Sequence, residues 1–341
     1  MHASASSTGT EPLTTRCFDR STRLRMLFTG PKAAESLTGL VTNDVLSLRG
    51  GDGQYACALT QKGRVIADVR ILAIAGGDGS VASLLVDANP AAGPGFAAMI
   101  RKYVNPRLAK YVDVTASTAC LTLVGPSALS LLAALGASGV NVDEVANGAA
   151  YTHRTVTLAG VTARLVRVPD LGATDAFDLH CDAADVSTLR DALQQAGAEQ
   201  GAEHEWDRLR VIAGRPEWGV DMDETTLAQE ANMDALLAIS YQKGCYTGQE
   251  TVARVHFRGH VNRTLRRVRL GGGTIPPHGA PLLDKEEKPV GDVRSTAIGD
   301  DGQLIGIAMM RREVPDAGEL TWVSADAAAH AVAVVGSADE A

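Results

Sequence analysis

Hydrophobic residues in the first third of the chain fall into short β-rich runs separated by glycine-containing turns. The runs cover residues 55–59, 65–72 and 81–86. Runs of this length and spacing are typical of an antiparallel meander. Asp68 alternates with Val69 and Ile71 in the second run, so it could face solvent or line a cavity.

Before and after this meander, segments with a helical period of three to four residues alternate with further β-rich runs. The helical period predicts helices at 31–40, 96–103, 127–135, 184–196 and 203–214. The β-rich runs predict strands at 24–28, 112–115, 120–124, 155–158, 162–168 and 177–180. Sheets and packed helices mixed in this order predict an α+β fold rather than a doubly wound parallel sheet. The chain has neither a G-x-G-x-x-G motif after a strand nor a Walker A motif, which argues against nucleotide binding of those kinds.

The last quarter of the chain follows a different pattern. Three consecutive glycines at 271–273 and a Pro-Pro pair at 276–277 mark a boundary. Short strands at 290–295, 304–309, 319–323 and 329–335 then predict a small β-barrel. We therefore expect three parts: a flexible tail (1–20), a body of two α+β subdomains (21–262) and a C-terminal β-barrel (263–341).

Composition narrows the class of protein. A chain of 341 residues with 45% hydrophobic residues can bury substantial cores. It has no apolar run of eighteen residues and no basic-then-apolar leader, so we expect a cytoplasmic protein without a membrane partner. The net charge of −8 gives no general attraction to nucleic acid, and we expect no stable binding to it.

Charge is unevenly distributed near the middle of the second half. Residues 243–269 carry seven Lys or Arg residues and the single carboxylate Glu250, whereas residues 216–242 carry six carboxylates and no Lys or Arg. The basic segment could hold an anionic ligand such as a polyglutamate tail, or it could pair with the acidic segment. Any single arginine could equally belong to a solvated face.

The five cysteines are scattered, odd in number and without a C-x-x-C pair. This argues against a disulfide framework and against a self-contained zinc or cluster site. His256 and His260 are one helical turn apart, but Gly259 separates them, so we expect no metal site. Four of the cysteines are most simply small core or surface residues; the fifth, Cys245, has unusual neighbours.

Cys245 lies in the segment Lys-Gly-Cys-Tyr-Thr-Gly-Gln-Glu at 243–250, just before a predicted helix that ends near Gly259. Unpaired N–H groups at a helix start and a nearby Lys243 ammonium both favour a thiolate. A buried structural cysteine in a turn is the alternative. The two glycines and the lysine favour a reactive thiol with a lowered pKa.

This motif, followed by Val252-Ala253-Arg254 and Phe257-Arg258-Gly259, resembles the signature of the YgfZ family of folate-binding proteins. These proteins are relatives of the glycine-cleavage T-protein, an aminomethyltransferase, and act in assembly or repair of iron–sulfur clusters, with a link to tRNA modification. The resemblance implies a T-protein-like folate-binding body with a C-terminal barrel. It also implies tetrahydrofolate or a derivative as cofactor, and iron–sulfur client or assembly proteins as partners.

The resemblance assigns roles to particular residues. Cys245 and Lys243 would be catalytic, and the loop would be formed and held by Gly244, Tyr246, Gly248, Gln249 and Glu250. The folate-binding residues would be Asn43, Asp44, Asp178, Arg210, Arg254 and Arg258. By composition alone, the stretch with Asn43 and Asp44 could equally be an ordinary capping turn. Asp178 stands where relatives have a glutamate that contacts the pterin.

Aminomethyl transfer is the alternative activity. In T-proteins it needs a carboxylate a few residues after an Asn-Ala dipeptide, but residues 86–94 have no carboxylate after Asn89, and Asp87 comes too early. We therefore expect no glycine-cleavage activity, and the chain's status as an enzyme stays open. Hydrolysis or acyl transfer by Cys245 would need His256 or His260 as a general base, and neither motif nor order indicates it.

Overall fold

The computed structural model describes residues 14–172 and 175–337. Its strands are β1 (Arg16–Asp19), β2 (Leu24–Thr29), β3 (Gly53–Leu59), β4 (Val65–Ala75), β5 (Val81–Ala88), β6 (Lys110–Asp113), β7 (Thr118–Val124), β8 (His153–Leu158), β9 (Val161–Arg167), β10 (Ala176–Asp182), β11 (Glu199–Gln200), β12 (Arg263–Leu270), β13 (Pro281–Leu283), β14 (Pro289–Ile298), β15 (Leu304–Arg311), β16 (Glu319–Val323) and β17 (Ala329–Ser337). Its α-helices are α1 (Ala33–Thr38), α2 (Gly93–Tyr103), α3 (Ala128–Ala134), α4 (Val142–Ala146), α5 (Val186–Gln195), α6 (Glu203–Ile212) and α7 (Gln249–Arg258).

The first sheet has five strands in the order β3-β4-β5-β2-β6, and all neighbouring pairs are antiparallel. The predicted meander forms β3 to β5. One face is covered by the short helix α1 through Leu37 and by α2 through Phe96 and Ile100, all fully buried. The hydrophobic spacing in these two helices therefore serves the core of this sheet.

The second sheet has six strands in the order β11-β1-β7-β10-β9-β8. Helices α3, α4 and α5 pack on it through Leu132, Val145 and Leu189. The predicted flexible tail of 1–20 is wrong for its last part, because Arg16–Asp19 is strand β1, paired with both β7 and β11, and buries Phe18. Residues 1–13 of that tail lie outside the described residues.

The C-terminal strands close into a six-stranded barrel in the order β12-β15-β14-β13-β16-β17. Its interior holds Val268, Met310, Leu320 and Trp322. The α+β class with a C-terminal barrel is thus confirmed, while the predicted boundary between 262 and 263 stays a prediction. Among the described residues, the helices are too short or too polar to cross a bilayer.

His153 connects the second sheet to the loop that precedes β3. Its backbone N–H donates to the Gly51 carbonyl at 2.9 Å, and its Nε2 lies 3.2 Å from the Asp52 carbonyl. Arg164 donates to Nδ1 at 3.3 Å, so the proton of the neutral ring sits on Nε2 and is donated to Asp52. Burial, reinforced by Arg164, lowers the pKa of His153 to about 3, so this contact requires a neutral imidazole.

We predict that His153→Gln flattens the acid dependence of stability. A folded-state pKa near 3 lies below the unfolded value near 6.5, so the contribution is fully present above pH 6.5 and declines as pH falls toward 3. The side-chain amide of glutamine can still donate a hydrogen bond to the Asp52 carbonyl, but it does not titrate between about pH 3 and 7. Urea unfolding at pH 7, 5.5 and 4.5 should show the wild type losing up to about 1.4 kcal/mol more per pH unit than the variant.

The matched control is His204→Gln, because His204 is exposed on α6. Equal pH slopes for wild type and His153→Gln would contradict a buried neutral His153.

Candidate functional site

A network of buried charges joins the two sheets. Arg70 on β4 donates to Asp87 on β5 at 2.7 Å and to Asp178 on β10 at 2.7 Å. Arg23 also binds Asp87, at 2.6 Å. Burial alone would raise the pKa of Asp87, but the two guanidinium groups outweigh burial and hold it well below its usual range. Asp87 is therefore ionised and fixes both arginines.

A second part of the network lies beside the first. Asp170 accepts from Tyr151 at 2.5 Å and pairs with Arg215 at 3.0 Å. The Arg215 guanidinium also lies 4.0 Å from the centre of the Tyr55 ring. Burial lowers the pKa of an arginine, but Asp170 together with Tyr55, Tyr151 and Asp68 outweighs burial and raises the pKa of Arg215. These contacts place fixed charges and an aromatic face at one location.

Arg210 links this region to the barrel. It contacts Asp221 at 2.6 Å and Glu217 at 3.0 Å. Asp221 in turn accepts a hydrogen bond from Ser295 of β14 at 2.6 Å. The charged side chains thus connect both sheets and the barrel around one space.

That space is a narrow cavity of about 40 Å³ which shares six lining residues with a wider groove of about 520 Å³. The shared residues are Arg20, Arg23, Asn89, Trp206, Glu217 and Trp218. The cavity alone has room for about one water molecule, whose share of liquid volume is roughly 30 Å³. The groove, in contrast, has the size of a small-molecule site, which typically spans about 300–1,000 Å³.

Two polar groups in the cavity, one on Asp68 and one on Arg20, are available to a ligand. Asp68 accepts from Tyr55 at 2.8 Å through Oδ2, whereas its Oδ1 is buried without a hydrogen-bond partner. Arg20 lies 4.0 Å above the Trp206 ring and has no carboxylate within 4 Å among the described residues. A ligand with N–H donors at one end and an anionic group at the other would satisfy both.

The predicted folate-binding residues are not all brought together here. Arg210 lines the cavity. Asp178 lies in the buried network behind it, where Thr122 and Arg70 occupy its two oxygens. Arg254 and Arg258 are exposed on α7 and do not line the cavity.

The other two predicted residues form a turn away from the cavity. The Asn43 side chain donates to the carbonyls of Tyr55 and Leu237, both at 2.9 Å. Asp44 accepts from the Leu46 amide at 3.0 Å and caps a short 3₁₀ helix. The structure therefore has capping geometry at this stretch, and a folate contact there stays a prediction.

Sequence reasoning missed Glu217, Arg20 and Arg215 and left Asp68 open. Asp68 lines the cavity. Glu217 accepts from Asn89 at 2.8 Å, so a carboxylate does stand beside Asn89, supplied by a distant loop. Glu217 lies between Pro216 and Gly219 in the loop after α6, and a carboxylate in such a loop does not by itself identify a partner.

The loop with Cys245 forms a second candidate site. Cys245 is exposed, whereas the other four cysteines are buried. Gly248 has φ +87°, and a Cβ there would come within 2.6 Å of the Thr60 carbonyl, so glycine is required. Gln249 at the start of α7 accepts from the Tyr246 amide at 3.1 Å and holds the loop against the helix.

Lys243 fastens this loop to the first α+β unit. Its Nζ donates to the carbonyls of Thr38, Val41 and Asn43 at 2.5, 2.6 and 3.0 Å. Burial lowers the pKa of Lys243 to about 8. The ammonium thus has a positioning role in the loop, while its predicted effect on the thiol stays a prediction.

The thiol and the cavity are separate sites. Residues 243–250 do not line the cavity or its groove. Gly244 and Glu250 of the loop are exposed like Cys245. The thiol therefore lies on the surface rather than inside the arginine-rich cavity.

One buried trio has the composition of a metal site. Cys120, Asp178 and His180 offer ligand atoms within 4.8 Å of one another. Burial raises the pKa of Cys120 well above its usual value, and Arg70 already occupies Asp178. A neutral thiol beside a guanidinium does not suit a cation, so we assign no metal to this trio.

Comparison with known proteins identifies the family. A family model for the GCVT N-terminal domain matches residues 14–241. The tRNA-modifying protein YgfZ of Cronobacter sakazakii is 32% identical over 157 residues, covering 45% of this chain and 47% of that protein. YgfZ of Escherichia coli is 33% identical over 144 residues, covering 41% and 44%. The chain thus spans less than half the length of these YgfZ relatives.

Longer similarity links the chain to aminomethyltransferases. The aminomethyltransferase of Thermosynechococcus vestitus is 28% identical over 278 residues, covering 82% of this chain and 71% of that protein. The glycine cleavage system aminomethyltransferase T from Bartonella henselae has the same fold, with a TM-score of 0.81, 19% identity and coverage of 95% and 86%. The chain therefore belongs to the GCVT N-terminal domain family, and its resemblance to YgfZ proteins, predicted from the motif around Cys245, is confirmed.

Proposed function

We propose that this protein binds tetrahydrofolate or a derivative in the arginine-lined cavity and its groove, and uses Cys245 in the assembly or repair of iron–sulfur clusters in client enzymes. The single observation that carries the folate part is the buried, unpartnered Asp68 Oδ1 in a cavity that also presents the Arg20 guanidinium. The similarity to YgfZ proteins supports the client part, and a client that modifies tRNA would account for the name of those relatives.

The residues present fit a reduced folate. The pterin ring offers N–H donors along one edge, which would satisfy the unpaired Asp68 oxygen once the side chains around the narrow cavity move apart to admit the ring. Trp206 and Trp218 supply aromatic walls, and Arg20 can bind the glutamate carboxylate where the cavity meets the groove. Bound folate supplies a carrier for one-carbon units. The chain's own residues orient it and shield its ring from water.

Cys245 would act at the surface. An exposed thiol on a loop fastened by Lys243 can meet a client protein without that protein entering the cavity. There it would perform thiol chemistry or transiently hold a cluster or its intermediates, the cluster being cargo rather than a resident group. The rigid loop would present the sulfur in one orientation.

We predict that Asp68→Asn weakens tetrahydrofolate binding about tenfold or more, because the amide replaces an acceptor that the pterin edge requires. Calorimetric titration of tetrahydrofolate into wild type and variant measures the change. The matched control is Asp191→Asn on the exposed surface of α5, which should bind like wild type. No heat of binding to the wild type would contradict the folate proposal.

We predict that Cys245→Ala leaves the fold and tetrahydrofolate affinity nearly unchanged, because the side chain is small and exposed. The same variant should abolish rescue of iron–sulfur enzyme activity in cells that lack the protein. Gln242→Ala, an exposed change in the same loop, serves as control. Equal rescue by Cys245→Ala would remove the thiol from the mechanism.

Aminomethyl transfer is the second candidate, and the contact between Asn89 and Glu217 favours it. Glu217 is nevertheless held by Arg210 at 3.0 Å, which keeps the carboxylate from serving as a free base. We therefore expect no methylenetetrahydrofolate from tetrahydrofolate and an aminomethyl donor. Formation of that product, lost in Glu217→Gln, would establish the transferase activity instead.

A further inference from the structure

The outer side of α7 carries two arginines and a phenylalanine that the folate cavity does not use. Arg254 and Arg258 are exposed and have no carboxylate within 4 Å in the described part of the chain. Phe257 is 68% exposed. At 100° per residue, all three project from one side of the helix, with the two arginines about 6 Å apart along its axis.

Aromatic rings continue this surface toward the Cys245 loop. His256 stacks on Tyr241 with ring centres 3.6 Å apart. Phe257 meets both rings edge-on, at 4.7 Å from His256 and 6.1 Å from Tyr241. The stack supports Phe257 from one side and keeps its large apolar ring in solvent.

Further basic residues extend the surface in the other direction. The turn between β3 and β4 packs on α7, since a Cβ on Gly63 would lie 2.9 Å from the Thr251 Cβ. This turn carries Lys62 and Arg64, and Arg64 lines a groove of about 530 Å³ with Arg263 and Arg311. A basic strip therefore runs over Lys62, Arg64, Arg254, Arg258, Arg263 and Arg311.

In the part of the chain that the structure describes, carboxylates pair with only two of the basic residues in the strip. Glu230 binds Arg263 at 3.1 Å, and Glu313 lies 3.6 Å from Arg311. Arg64, like the two arginines on α7, has no carboxylate within 4 Å among the described residues. A net charge of −8 therefore describes the chain as a whole but not this face.

We propose that this strip binds a single-stranded segment of RNA, with phosphates on Arg64, Arg254 and Arg258 and an unstacked base on Phe257. Cations that follow a backbone beside an exposed aromatic ring are the combination by which proteins hold single strands. A duplex keeps its bases stacked and cannot use Phe257. This binding goes beyond the proposed function, because it uses neither the cavity nor the thiol.

An acidic protein is the competing occupant. Leu237, 76% exposed and joined through Asn43 to Lys243, would suit a protein surface rather than a nucleic acid. The rings and unpaired guanidinium groups of α7 favour RNA. A polyglutamate peptide matched in charge to the RNA probe separates the two cases.

The test is fluorescence anisotropy with a fluorescein-labelled 12-nucleotide single-stranded oligoribonucleotide, its duplex and the labelled polyglutamate peptide. We expect the single strand to bind tightest. Arg254→Ser with Arg258→Ser should weaken it at least tenfold and make the salt dependence of log K shallower by roughly 1.4, from about 0.7 per lost phosphate contact. Phe257→Ala should weaken it by about 5-fold to 100-fold.

Matched controls come from α2 and the turn that follows it, which carry a similar exposed set elsewhere on the surface. Arg101→Ser with Arg107→Ser removes two exposed charges, and Tyr103→Ala removes a ring that is 42% exposed. These should leave the RNA affinity within twofold of wild type. Thermal melts of all variants check the fold.

Three results would overturn the proposal: no binding of the single strand at 50 mM salt, equal losses in the control variants, or polyglutamate binding as tightly as RNA. Equal affinity for the duplex, unaffected by Phe257→Ala, would also overturn it, since the ring would then take no part. A failure here would leave folate binding and the role of Cys245 untouched.

Discussion

The ion pairs of Arg70 with Asp87 and Asp178 set the geometry on which the rest of the body depends. Asp87 is on the first sheet and Asp178 is on the second, so one guanidinium bonds across both. Buried charges are costly to desolvate, and removing one partner of such a pair typically costs about 3–5 kcal/mol. Such buried ion pairs add little net stability, but any other packing of the two sheets would leave a buried charge unpaired. It therefore fixes the two sheets relative to each other and gives the cavity its shape.

Local features of the structure were predictable from the sequence because they depend on nearby residues. The meander of β3 to β5 follows from β-rich runs and turn glycines, and α7 follows from its helical spacing and Gly259. The two glycines and Lys243 around Cys245 likewise argued against a buried structural cysteine, and the thiol is exposed. The motif also carried enough specific residues to identify the family.

Contacts between distant residues were not predictable in the same way. Lys243 was expected to support the thiol, yet its acceptors are carbonyls some 200 residues earlier. Glu217 stands beside Asn89 although 128 residues separate them. Strand β1 looks like part of a polar tail until β7 is placed beside it. The spacing of hydrophobic residues predicts which face of a helix or strand is buried, but it does not predict which other element packs on that face.

The cysteines show one consequence of the fold as a whole. Burial raises the pKa of Cys17 to about 12 and that of Cys181 to about 11, and those of Cys57 and Cys120 rise well above their usual value. These four sulfurs are both shielded and protonated at neutral pH. Among the cysteines, an alkylating or oxidising reagent in solution therefore encounters a single accessible thiol. The folded chain already has the chemical selectivity that other proteins acquire only after their remaining cysteines are replaced.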